Sequence, residues 1–217
     1  MTDVAVPHVP QRLPGTIACA GIPTTVAVGA VGGCALGIAA RGWMRLISDD
    51  PEFSWSGTIF IVVGFTIFGV GQSIVAAARA RITRRATLTV ARVIGVVTML
   101  PLFMAAGAVM LPTVLGGGLA AARTDWRVAG RIACLVVAFV PLMYVGRDLI
   151  HTFGWSFHAL GGVTVMVAVY ATVVWATQFA LAPQRDGWRT SRAAKIAAVL
   201  GAAVLAALLV VSSVGLG

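Results

Sequence analysis

The residues best suited to chemistry lie in the stretch RGWMRLISDDPEFSWSGT, at positions 41–58. It contains three of the seven acidic residues of the chain, together with basic and aromatic side chains. Its candidate polar residues are Arg45, Asp49, Asp50, Glu52 and Trp55. Grouped carboxylates could bind a cation, and one of them could serve as a general base. The sequence favours the structural alternative, an interfacial link in which tryptophans anchor the chain and a serine caps the next helix.

A second polar stretch, RDLIHTFGWSFH at positions 147–158, adds Asp148 and His151 to the candidate polar site. These two side chains could approach the acidic stretch if both stretches emerge on one side of a membrane. Their spacing matches neither H-E-x-x-H nor C-x-x-C-H, which are patterns of zinc and haem sites. Exposed interfacial histidines are therefore expected, and the sequence predicts no metal, no cofactor and no catalytic residue.

The composition indicates that the chain lives in a lipid bilayer. Of its 217 residues, 59% are hydrophobic and only 11% are charged, and the mean hydropathy is +0.96. A soluble domain has about 25% charged residues, so this chain cannot cover a surface that faces water. The 16 basic residues lie between long apolar runs, as they do at the ends of membrane helices. This placement argues against nucleic-acid binding.

Six apolar stretches are long enough, or nearly long enough, to cross a bilayer, which takes about 20 helical residues. They cover residues 16–40, 57–78, 93–122, 132–146, 159–182 and 196–216. None has the alternating pattern of a membrane β-strand. The sequence therefore predicts an all-α, polytopic transmembrane helical bundle that forms a single domain at 16–217, after a disordered tail at 1–15.

The distribution of basic residues favours a re-entrant segment. Six full crossings would divide the basic residues almost evenly between the two sides of the membrane. If 93–122 enters and leaves by one face, all basic residues except Arg41, Arg45 and Arg147 fall on the cytoplasmic side, as the positive-inside rule requires. This stretch also contains two prolines and three consecutive glycines, which break helices. The shorter stretch 132–146 is the other candidate, and six plain crossings remain the alternative.

Two amides, Gln72 and Gln178, lie within apolar stretches. Polar groups at this depth are rare and can mark a transport path, although an interhelical hydrogen bond is their commoner role. No acidic, basic or histidine side chain falls in the middle of a stretch, which argues against a proton-coupled carrier.

Small residues recur every fourth position along the first stretch, at Gly21, Gly29, Gly33 and Gly37, with Thr25 between them. This spacing puts them on one helix face, where they permit close contact with another helix. The stripe could pack inside the bundle, or it could bind a second copy of the chain or another membrane protein. A homo-oligomer is thus a possible partner state, besides the lipid bilayer.

The residues at 43–47 (WMRLI) and 51–58 (PEFSWSGT) resemble those of uncharacterised multi-pass membrane proteins of GC-rich, actinobacterial-type bacteria. The resemblance implies a bacterial plasma-membrane location and brings no known activity. The sequence as a whole favours a non-enzymatic protein, either an accessory or assembly subunit or a small permease-like unit. A membrane-face enzyme that uses Asp49, Asp50 and Glu52 is the alternative.

Overall fold

A computed structural model describes residues 21–47, 54–82 and 84–183. Its elements are α1 (Ile22–Leu46), α2 (Trp55–Arg81), α3 (Arg85–Val97), α4 (Met99–Ala106), a 3-10 turn (Ala108–Met110), α5 (Leu111–Ala122), α6 (Val128–Phe153) and α7 (Phe157–Leu181). These residues form no strand, so the all-α prediction is confirmed. The predicted tail 1–15 and the predicted segment 196–216 lie outside the described residues.

Among the described residues, five helical stretches are long and apolar enough to cross a membrane. They are Ile22–Leu46, Trp55–Arg81, Ala86–Met104, Val128–Phe153 and Phe157–Leu181. Large apolar side chains on the outside of the bundle are exposed, for example Val31 and Met143 at 70% each. In water such exposure would be costly, whereas lipid tails solvate it. The chain is therefore a multi-pass integral membrane protein.

Helices α2 and α7 form the centre of the bundle. Phe65 and Phe68 of α2 are buried against a core that includes Met166 and Val173 of α7. Helices α1, α3 and α4 pack on α2, and α5 and α6 pack on α7. Both central helices begin at a serine whose side chain accepts a backbone hydrogen bond, Ser54 from Gly57 N (3.3 Å) and Ser156 from Ala159 N (3.2 Å).

The glycine stripe of α1 lies against α2. A Cβ atom at Gly33 would lie 2.5 Å from the carbonyl oxygen of Phe65, and one at Gly29 would lie 2.5 Å from the Ser73 side chain. Gly37 is similarly close to Val62. The backbones of two membrane helices can approach this closely only where one of them lacks a side chain. These three glycines thus pack inside the bundle, while a partner contact through the stripe, including Gly21, stays a prediction.

The predicted segment 93–122 is broken into two arms. Helix α3 ends at Val97, because Pro101 has no N–H to bond to its carbonyl, and α4 continues to Ala106. At Gly107 the backbone φ is +87°, which favours glycine, and the chain reverses through the 3-10 turn into α5. Pro112 lies in the first turn of α5, where a helix tolerates proline.

The first arm begins, and the second arm ends, at the same end of the bundle. A Cβ atom at Gly95, in the first arm, would contact Ala180 near the end of α7. One at Gly118, in the second arm, would contact Thr177 and Leu181 of the same helix end. Helix α5 has 12 residues and so spans only about 18 Å, too little to cross a bilayer. This is the geometry expected of the re-entrant segment, which we call the α3–α5 hairpin.

Labelling of introduced cysteines tests this topology in a cysteine-free background. We expect Thr87→Cys and Thr124→Cys, at the two ends of the hairpin, to react with a membrane-impermeant maleimide from one side of the membrane. Thr152→Cys, near the end of α6, should react only from the opposite side. All three side chains are exposed. Reaction of the first two positions from opposite sides would contradict the re-entrant geometry.

Helices α1 and α6 extend past the ends of their predicted apolar stretches. Helix α1 continues past Ala40 to Leu46, so Arg41 and Arg45 belong to the helix and not to a link. The stretch 132–146 is the middle of α6, which runs through Pro141 without ending, so the sequence's second re-entrant candidate was wrong. Hydropathy locates the lipid core, but helical hydrogen bonding continues beyond it.

Candidate functional site

A cavity of about 450 Å³ lies between α1, α2 and α7. It is bordered along α1 from Thr24 to Leu36, along α2 from Phe68 to Ala76 and along α7 from Thr172 to Phe179. Most of the lining side chains are apolar or small, and none of the lining residues that the structure describes is charged. The cavity thus suits a neutral, largely apolar molecule.

Gln72 is the buried amide of this cavity. It borders the cavity in the middle of α2, and only 3% of its surface is exposed. Its Nε2 donates a hydrogen bond of 2.8 Å to the carbonyl oxygen of Gly95, in the first arm of the hairpin. Its Oε1 is buried and has no hydrogen-bond partner among the described residues. The same side chain therefore contacts the hairpin and carries an unused acceptor beside the cavity.

Three hydroxyl groups around the cavity are bonded within their own helices. Thr25 Oγ1 donates to Gly21 O (3.0 Å), Ser73 Oγ to Val70 O (2.8 Å) and Thr172 Oγ1 to Ala168 O (2.8 Å). Such local bonds satisfy hydroxyl groups inside a membrane helix. The Gln72 oxygen is thus the acceptor of the cavity that is buried without a bond in the described part of the chain.

The second predicted amide lies elsewhere. Gln178 is half-buried near the end of α7, and it is not among the residues that line the cavity. The structure thus places the two predicted amides differently, and an intramembrane polar site stays a prediction. Gln72 borders the cavity from α2. Gln178 does not border it although its neighbour Phe179 does, because adjacent residues on a helix point to different sides.

The candidate polar residues at the other end of the bundle are partly described. Arg45 is exposed at the end of α1, and Trp55 is 71% exposed at the start of α2. Asp148 and His151 are exposed on the last turns of α6. Asp49, Asp50 and Glu52 lie outside the described residues. Within the described ranges, no group of three or more His, Cys, Asp or Glu residues could hold a metal ion.

The two polar stretches do share one end of the bundle. The ring of His158, at the start of α7, contacts the carbonyl oxygen of Leu46 at the end of α1. The Ile47 side chain lies 3.3 Å from the Cβ position of Gly162. This proximity is what the enzyme alternative requires of the fold, although the contact itself involves a backbone carbonyl and no carboxylate.

Sequence analysis missed the role of two arginines. Arg79 donates to the carbonyl oxygens of Phe179 (3.4 Å), Ala182 (3.0 Å) and Pro183 (3.0 Å). Arg92 donates to those of Ala180 (2.9 Å) and Ala182 (2.5 Å). Both cations thereby satisfy the free carbonyls at the end of α7 and interact favourably with the negative end of its dipole. The available signal was their position directly beside the apolar stretches 57–78 and 93–122, where an unpaired charge would be costly.

Comparison of the chain with protein-family models, with curated proteins and with solved structures found no match.

Proposed function

We propose that this integral membrane protein is a non-enzymatic, permease-like protein of the bacterial cell membrane. The observation that carries the proposal is the position of Gln72, which joins a broken re-entrant hairpin to an uncharged cavity. Broken helices and re-entrant segments occur in channels and transporters, where irregular backbone lines a path through the membrane. A movement of the hairpin would act directly on the cavity, because the two share this hydrogen bond.

The polar contacts of the bundle support a non-enzymatic role. Arg79 and Arg92 bind the end of α7, and Arg131 donates to the carbonyl of Ala120 (3.1 Å). Thr113 Oγ1, at the start of α5, donates to Ala138 O (2.9 Å). These side chains hold helices together and are committed to backbone carbonyls, so they are poorly placed to act on a substrate.

Flux into reconstituted vesicles tests the proposal. We expect vesicles that contain the protein to take up at least one small neutral solute of low polarity, such as 1,2-butanediol, faster than protein-free vesicles. Gly107→Ala should reduce this flux, since a side chain at a φ of +87° costs about 1–3 kcal/mol and alters the hairpin turn. Light scattering after an osmotic step measures the rate.

Gly161→Ala is the matched control, because a Cβ atom there meets nothing within 4 Å. It should leave the flux unchanged. A folded protein that carries no neutral solute would contradict the permease-like proposal and favour an accessory or assembly subunit.

A membrane-face enzyme is the second candidate function. It is supported by the contact between His158 and Leu46, which puts the two polar stretches at one end of the bundle. The site would combine Asp49, Asp50 and Glu52 with Arg45 and His151. Because those three carboxylates lie outside the described residues, the cavity is the stronger basis for a function.

A further inference from the structure

We propose that the cavity between α1, α2 and α7 binds a neutral aromatic alcohol or a similar hydrogen-bond donor, whose O–H or N–H group bonds to Gln72 Oε1. This inference gives the chemical class of the ligand for the cavity that the proposed function uses. It rests on the proposed function only in assuming that the ligand is transported. Binding itself requires no flux.

The charge and polarity of the cavity indicate that the ligand is neutral and donates a hydrogen bond. None of the described residues that line it is charged, so an ionic ligand would lose its hydration without gaining a partner there. Gln72 Oε1 is a buried acceptor without a bond, and a donor from the ligand would satisfy it. Gln72 is one of the lining residues, and the terminal torsion of its amide is soft, so a rotation of the amide would bring Oε1 to the cavity.

The walls of the cavity indicate that the ligand is aromatic. Phe68, Trp175 and Phe179 line it, and the rings of Trp175 and Phe179 meet edge to face with centroids 5.3 Å apart. Aromatic walls favour an aromatic ligand through stacked or edge-to-face contacts. Val28 is 67% exposed and Trp175 is 52% exposed, so the cavity opens between α1 and α7 toward lipid. A membrane-soluble ligand can therefore enter from the bilayer.

Two other occupants are chemically reasonable, and the test separates them. A lipid acyl chain would fill the apolar space but has no donor for Gln72. The apolar segment 196–216 could reach the cavity, since the described chain ends at Pro183, beside Phe179 and Arg79. Neither occupant explains a buried acceptor as directly as a ligand with one donor does.

The experiment compares 4-octylphenol with its methyl ether, which keeps the ring and the alkyl chain, is larger by one methyl group and has no donor. Each is added to the full-length protein in detergent, and native mass spectrometry measures the bound fraction. The wild-type protein should bind the phenol about tenfold more tightly than the ether, the value of one buried hydrogen bond. Gln72→Met, which keeps the side-chain length, should abolish this preference but retain binding of both probes.

Gly32 offers a way to block the cavity. It lines the cavity, and a Cβ atom there meets nothing within 4 Å, so the side chain of Gly32→Phe would start in open space. This variant should lose both probes. Gly42→Leu, on the same helix, also meets open space but lies outside the cavity lining, and it should bind like wild type. If Gly32→Phe does not fold, as judged by circular dichroism, Gly32→Leu takes its place.

Equal binding of the phenol and the ether to wild type would overturn the proposal in favour of an acyl chain. Unchanged binding to Gly32→Phe would also overturn it, since the probes would then bind elsewhere. A high-yield disulfide between Gly32→Cys and Ala202→Cys, in a background without other cysteines, would assign the cavity to the segment 196–216. Probe binding without solute flux would contradict the proposed transport and leave the ligand site intact.

Discussion

Replacement of Gly33 by alanine should lower the free energy of unfolding by about 1–3 kcal/mol, the usual cost of overpacking. The added Cβ atom would lie 2.5 Å from the carbonyl oxygen of Phe65 and 2.9 Å from the Cα atom of Thr66. Both atoms belong to the backbone of α2, which cannot rotate away as a side chain can. Helices α1 and α2 would have to separate along their contact.

Gly32→Ala is the control, because the neighbouring position has open space. It should be neutral or stabilising by up to about 1 kcal/mol, since alanine is the better helix former. Unfolding of the two variants in mixed detergent micelles, followed by circular dichroism, gives both free energies. Equal stabilities would show that α1 and α2 are not in close contact.

Replacement of Arg79 by glutamine should lower the free energy of unfolding by about 2–3 kcal/mol. Arg79 binds three carbonyl oxygens at the end of α7, and a hydrogen bond to a charged group contributes about 1.5–3 kcal/mol. Glutamine reaches less far and carries no charge, so carbonyls at a buried helix end would lose their partners. Arg79→Lys should recover only part of the loss, since an ammonium group lacks the planar fork.

Arg84→Gln removes the same charge from the same side of the bundle and serves as the control. The Arg84 side chain makes no hydrogen bond to the other residues that the structure describes, so we expect less than about 0.5 kcal/mol. The measurement is the same unfolding titration. A loss at Arg84 that equals the loss at Arg79 would assign the effect to charge and not to the carbonyl contacts.

The α3–α5 hairpin could be predicted because its causes are local. Pro101 and Pro112 remove backbone donors, and the distribution of arginines independently favoured a segment that returns to its starting side. The glycine stripe of α1 was predictable for the same reason. Which helix would face the stripe was not, because several other stretches were apolar and contained small residues.

The site was only half predictable. Polarity within an apolar stretch singled out both Gln72 and Gln178, but the direction that each side chain takes depends on the packing of α2 and α7. The hydrogen bond from Gln72 to Gly95 joins residues 23 positions apart, so no local pattern contains it. The arginine contacts at the end of α7 depend in the same way on the assembled bundle.

The close contact between α1 and α2 has a thermodynamic consequence. Lipid already surrounds both helices, so their separation transfers little apolar surface to water, and it should have only a small heat-capacity change. The attraction at Gly29, Gly33 and Gly37 comes from dispersion between backbones, which does not weaken on cooling as the hydrophobic effect does. This helix pair should therefore hold together over a wide range of temperatures, including cold conditions that loosen the cores of water-soluble proteins.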